Sequence, residues 1–99
     1  MIKKQIRKLE VSMPVALIKE GNVYVAWTPA LDISTSGKTE HEAKKNFDEL
    51  VSIFFEEFTD NPSALEIVLE SLGWTKQQKQ WTPPKVTNTI QNVSVNLVV

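Results

Sequence analysis

The sequence predicts an α+β fold: a small antiparallel β-hairpin or three-stranded sheet with a long helix packed on one face, then a second short helix and a C-terminal strand. Three observations carry that expectation. Apolar and β-branched residues dominate the segments before Gly37, apolar residues recur at helical spacing from Ala43 to Phe58, and a shorter helical pattern between Asp60 and Gly73 carries its own start and stop signals.

The first strand is expected over residues 11–19, Val-Ser-Met-Pro-Val-Ala-Leu-Ile-Lys, with Pro14 marking an edge position or the strand's beginning. Glu20-Gly21-Asn22 is a turn signal, and Val23-Tyr24-Val25-Ala26-Trp27 reads as the returning strand, since β-branched and aromatic side chains suit a pleated, half-buried surface. Thr28-Pro29 breaks it. Leu31 to Ser36 forms a third, shorter extended segment ended by Gly37. Thr39 and Glu42 form a Thr-x-x-Glu capping box for the long helix, whose apolar stripe runs Ala43, Phe47, Leu50, Val51, Phe54, Phe55 and Phe58. Glu42, Lys45, Glu49, Ser52 and Glu56 occupy its other side. The second helix begins at Asp60-Asn61-Pro62-Ser63, where the missing N–H of a proline in the first turn costs nothing, and ends at Gly73. Leu65, Val68, Leu69 and Leu72 give it a short apolar face. Residues 75–84 read as a polar loop that Trp81 could pin to the body. Val93 to Val99 alternates as a strand, which must join the sheet or a neighbouring chain because an isolated terminal strand is unstable.

At 99 residues the chain can hold one core with little to spare. The expected division is a core domain over 1–74 and a polar loop-and-strand extension over 75–99 that is not an independent domain. The sequence has no cysteine, which excludes disulfides, thiolate zinc sites and cysteine nucleophiles. The basic start, Met1 to Lys8, is followed by no apolar signal region, and the longest apolar run, Val15 to Ile18, cannot cross a bilayer; a cytoplasmic, membrane-free protein is expected. Net charge is −1, but all 12 acids lie between Glu10 and Glu70. Only Lys19, Lys38, Lys44 and Lys45 offset them there, leaving that stretch at −8, while the flanks hold bases alone. An acidic body repels nucleic-acid phosphate and favours a basic partner; a solvated surface with no partner explains the same pattern.

Catalytic constellations are scarce. His41 is the single histidine, and its neighbours Glu40 and Glu42 point elsewhere on a helix, so a surface role is expected of it. Glu56-Glu57 and Asp48-Glu49 fall on an exposed helix side, and the first two strands carry no acid, so the convergent carboxylates of a metal nuclease are not in prospect. Gly37-Lys38-Thr39 matches the tail of a phosphate-binding loop, but Asp32 stands where its first glycine belongs. No enzyme, cofactor or metal site is expected. Of Tyr24 and Trp27, on opposite faces of one strand, one should be core and the other exposed, where an aromatic can anchor a protein interface.

The run from Tyr24 to Phe47 resembles the HicB antitoxin family. That pattern is a strand, Pro-x-Leu, a few small residues, Gly-x-Thr/Ser-x-x-Glu-Ala and then an asparagine; Pro29, Leu31, Gly37, Thr39, Glu42, Ala43 and Asn46 fall in register with it. With the flanking elements the resemblance spans roughly residues 11–58, and Leu72-Gly73-Trp74 with Trp81-Thr82-Pro83-Pro84 looks like a longer variant. Each matched residue helps to make the fold. Pro29 stops a strand, Gly37 permits the turn, Thr39 and Glu42 cap the helix, and Ala43 keeps its first turn close to the sheet. The resemblance implies a β-β-β-α-β core like a reduced ribonuclease-H-like layer, without catalytic acids. It also implies an antitoxin that occludes a HicA-type toxin, a small basic ribonuclease that cleaves mRNA and uses a histidine.

Family members commonly add a helix-turn-helix or ribbon-helix-helix module that binds the operator. The 26 residues after Gly73 hold no such helical pattern, which argues against DNA binding by this chain. Self-association through a sheet edge or the terminal strand is expected, a dimer being favoured. The alternative to an antitoxin is an orphan HicB-fold interaction or structural module with neither toxin nor operator, and a third reading, nucleic-acid binding through the basic flanks, requires salt-dependent affinity. The residues expected at a toxin interface are Asp32 and Ser34 from the 30–36 loop, with Glu42, Lys45, Glu49 and Glu56 from the helix.

Overall fold

The computed structural model describes residues 11–98; the basic segment with Lys3, Lys4, Arg7 and Lys8, and Val99 of the expected terminal strand, lie outside the described residues. β1 (Ala16–Glu20), β2 (Val23–Thr28) and β3 (Ile33–Gly37) form an antiparallel sheet in the order β1-β2-β3, followed by α1 (Glu40–Glu56) and α2 (Pro62–Ser71). The α+β expectation and the β-β-β-α order hold. β1 begins at Ala16 rather than Val11, because its ladder opens with Ala16 opposite Trp27 and closes with Glu20 opposite Val23. Gly21 and Asn22 are thus the two loop residues of a hairpin. Gly21 has φ +60°, the positive first central position of a type II′ turn, whose twist matches that of the strands.

β2 and β3 are joined across Pro29–Asp32. Proline ends the ladder, and the buried Thr28 hydroxyl accepts a hydrogen bond from Ala30 N–H at 3.2 Å, so neither of these two groups is left stranded in the turn. Asp32 completes the turn with φ +53°, a conformation that aspartate tolerates better than most side chains. β3 therefore starts at Ile33 and not at Leu31, which instead turns into the core.

α1 starts where its cap predicts. Thr39 is extended, and its Oγ1 accepts from Glu42 N–H at 3.0 Å. The reciprocal bond of the capping box is not made among the described residues, so this helix start relies on one side-chain cap. Ala43 and Phe47 turn towards Ala26 of β2, with Met13, Tyr24, Ile33 and Val51 around them. The role of Gly37 differs from the expected one: its φ is not positive, and its surroundings rather than its backbone angle demand glycine. A Cβ there would lie 2.5 Å from Ala43 N and 2.8 Å from the Glu42 carbonyl carbon. Helix start and strand end touch backbone to backbone. Asn46 Nδ2 donates to the Ser36 carbonyl at 2.9 Å and ties the next helical turn to the same strand.

α2 is capped by Asn61, whose Oδ1 accepts from Ala64 N–H at 3.2 Å, with Pro62 as its first residue. It ends in a Schellman motif: Gly73 has φ +90°, Trp74 N–H donates to the Leu69 carbonyl at 3.0 Å, and Gly73 N–H to that of Glu70 at 3.1 Å. Trp74 is thereby aimed into a second core cluster with Ala30, Leu31 and Leu69, and its Nε1 donates to the Ala30 carbonyl at 2.7 Å. Met13, Ile33 and Val51 pack against both clusters and make one continuous interior.

Two elements depart from expectation. The segment read as a polar loop holds a short hairpin, β4 (Thr75–Gln77) and β5 (Gln80–Thr82), with Gln78 and Lys79 at φ +50° and +68°. Trp81 does pack against the Leu69–Trp74 cluster, and Lys76 sits over its ring at 5.6 Å while pairing with Glu66 at 2.7 Å. Residues 83–98 form no strand, so the expected terminal strand is absent within the chain over Val93–Val98. Pro84 lies near Gly73, but from Lys85 onward the described chain is exposed. The extents are 68 × 31 × 22 Å and the radius of gyration is 17.3 Å, against about 13 Å for a compact chain of this length.

Candidate functional site

The helix spacing that buries Ala43 and Phe47 puts Glu42, Lys45, Glu49, Ser52 and Glu56 on the outer side of α1, and all five are exposed. Around the last two turns, Asp48, Glu49, Ser52, Ile53 and Glu56 line a shallow, open depression. Ile53 lies among them, 53% exposed. Asp48, Glu49 and Glu56 form no ion pair among the described residues, although Lys44 and Lys45 stand one turn before Asp48 and Glu49, at the spacing where pairs can form. The outer side of α1 is thus a mainly anionic stripe that also holds Lys45 and the apolar Ile53. The sequence pattern placed the acids; Ile53 was missed, although it departs from the buried stripe by a single position.

Asp32 and Ser34 do not join this surface. β2 alternates, so Ala26 and Thr28, both buried, face α1 while Val23, Val25 and Trp27 face the other way. Ser34 is the ladder partner of Trp27 and shares its side. Asp32 Oδ1 accepts a hydrogen bond from Trp27 Nε1 at 3.4 Å. The six residues expected at one interface are therefore divided between two surfaces, Glu42, Lys45, Glu49 and Glu56 on the helix and Asp32 and Ser34 beyond the sheet. The Tyr24–Trp27 alternative resolves in the same way: Trp27 is the exposed aromatic, at 37%, and Tyr24 is half-buried beside the Ala26 cluster with Lys19 over its ring at 5.9 Å.

The outer sheet surface is apolar in the middle. Ladder register puts Ile18 opposite Val25 and Ala16 opposite Trp27, with Ser34 and Ser36 along the β3 side. Among the described residues no element covers it. His41 is exposed in the first turn of α1, and no group of three or more His, Cys, Asp or Glu side chains converges among the described residues to hold a metal ion. Nor is any helix among them long and apolar enough to cross a membrane.

No protein-family model, no curated protein and no solved structure matches the chain.

Proposed function

We propose that this chain is a non-catalytic, antitoxin-type binding protein that neutralises a HicA-type ribonuclease, small and basic, by covering its RNA-cleaving surface. The observation that carries this reading is the outer side of α1, where Asp48, Glu49 and Glu56 surround the exposed Ile53 without cationic partners among the described residues. An apolar centre within a charged rim is the usual layout of a protein interface. Its sign suits a basic partner: complementary potentials accelerate encounter and reject acidic competitors. The resemblance of residues 24–47 to the HicB pattern supplies the partner class, and its matched residues account for the fold that presents the stripe.

The test is inhibition of RNA cleavage. Purified chain in stoichiometric excess abolishes cleavage by a HicA-type ribonuclease, and the double charge reversal Glu49→Lys with Glu56→Lys restores it. Both positions are exposed, so the variant keeps its thermal transition while affinity falls by roughly tenfold or more, about 1.4 kcal/mol, mostly through a slower, less salt-sensitive association. Cleavage undiminished by excess wild-type chain would remove the antitoxin reading. Unchanged affinity of the double variant would move the interface to the sheet surface around Trp27.

A further inference from the structure

The described chain contains a strand edge without a strand and a strand-like segment without an edge. β1 is the outer strand of the sheet, and among the described residues nothing pairs with its free side. The two edges of the sheet are not alike. β3 presents Ser34, Thr35 and Ser36, and Asn46 holds the Ser36 carbonyl. β1 presents Leu17 and Ile18, at 36% and 41% exposure, and follows Val15, at 41%, with its charged residues Lys19 and Glu20 at the hairpin end. Natural edge strands avoid pairing by placing charge, proline or a bulge along the edge. Pro14 stands just before this edge and Lys19 and Glu20 close it, but Val15 to Ile18 between them carries none of these devices.

The complement lies at the other end of the chain. Val93, Val95 and Leu97 alternate with Ser94 and Asn96, the period of a strand with one apolar face, and are 70%, 68% and 80% exposed. No charged residue occurs between Val86 and Val98. The segment leaves the body after Pro84 and is exposed from Lys85 onward. A polar tail could stay in water at no cost; this one leaves Val93, Val95 and Leu97 exposed to water.

We propose that residues Val93–Val98 of one chain add as a fourth strand to the free edge of β1 in a second copy, and that the exchange is reciprocal. Backbone hydrogen bonds along Val15–Lys19 supply the affinity, and Val93, Val95 and Leu97 cover the apolar side chains flanking the edge. Reciprocity closes the assembly as a two-fold dimer in which each tail and each β1 edge is used once. The proposal is independent of the toxin reading, since it uses neither the α1 stripe nor a ribonuclease.

The experiment uses the full chain. At about 100 μM, where a micromolar contact is saturated, light scattering should give twice the 11.2 kDa chain mass. Val95→Pro removes a ladder N–H in a segment that packs on nothing in the described body, so the variant should keep its fold and run as a monomer. In an equimolar mixture of ¹⁵N- and ¹³C-labelled chains, nuclear Overhauser contacts between Val93–Val98 and Val15–Lys19 should appear between differently labelled chains. A monomeric wild type would overturn the proposal. So would a dimer that survives Val95→Pro, contacts found only within one chain, or contacts joining tail to tail.

Discussion

The backbone contact between Gly37 and the first turn of α1 makes a prediction in which steric and conformational effects can be separated. Adding one methyl group at Gly37 places a carbon 2.5 Å from Ala43 N and 2.8 Å from the Glu42 carbonyl carbon. Both are main-chain atoms at a capped helix start, so no flexible side chain can yield, and either the strand end or the helix must move. Such overpacking costs about 1–3 kcal/mol, and here the displacement also strains the Thr39 cap and the Asn46–Ser36 bond. Gly21→Ala is the control of opposite kind. A Cβ at Gly21 meets nothing within 4 Å, but φ is +60°, so its cost of about 1–2 kcal/mol is conformational alone. Urea denaturation followed by tryptophan fluorescence measures both. Gly37→Ala should be the more damaging, and amide shifts should spread over Thr39–Phe47; those of Gly21→Ala should stay within the hairpin. If Gly37→Ala cost less than about 0.5 kcal/mol, the close-approach account of this glycine would be wrong.

Further expectations concern the second cluster and the helix cap. Trp74→Phe keeps most of the ring but leaves the buried Ala30 carbonyl without its 2.7 Å donor, so it should cost about 1–3 kcal/mol in the same denaturation assay. Thr39→Ala removes the one side-chain cap of α1 and should cost about 1 kcal/mol, with Thr39→Ser close to wild type, checked by thermal melting followed by circular dichroism.

What could be read from the sequence was whatever has a period or a local chemical cause. The stripe from Ala43 to Phe58 placed α1, Thr39 and Asn61 marked the helix starts, and Gly73 marked an end that the Schellman bonds confirm. The β4–β5 hairpin was hidden because its turn uses Gln78 and Lys79 at positive φ, positions where glycine or asparagine would have announced it. Lys76, held by Glu66 and the Trp81 ring, helps fix that turn through contacts that no local pattern encodes. Asp32 is a similar case: its left-handed conformation delayed β3 to Ile33 and turned its carboxylate to Trp27. At the candidate site, helical spacing sufficed to place Glu42, Lys45, Glu49 and Glu56 together. Separating Asp32 and Ser34 from them required the register of β2 against β3, because a shift of one residue exchanges the faces.

The residues on which the proposed HicB resemblance rests are nearly all consumed by folding. Pro29 ends β2, Leu31 is core, Gly37 and Ala43 make the strand–helix contact, Thr39 caps, and Asn46 binds the Ser36 carbonyl. Glu42 differs: its backbone N–H is capped while its side chain stands exposed on the α1 stripe. Substitutions within the pattern would therefore lower binding and stability together, and an inhibition assay could not tell the two apart. Glu49, Ile53 and Glu56 lie outside the pattern and outside the core, so their replacement changes the surface with the fold intact. A recognition role for the chain must be tested there. Loss of inhibition by Glu49 and Glu56 variants at unchanged stability is an outcome that a purely structural role for α1 does not predict.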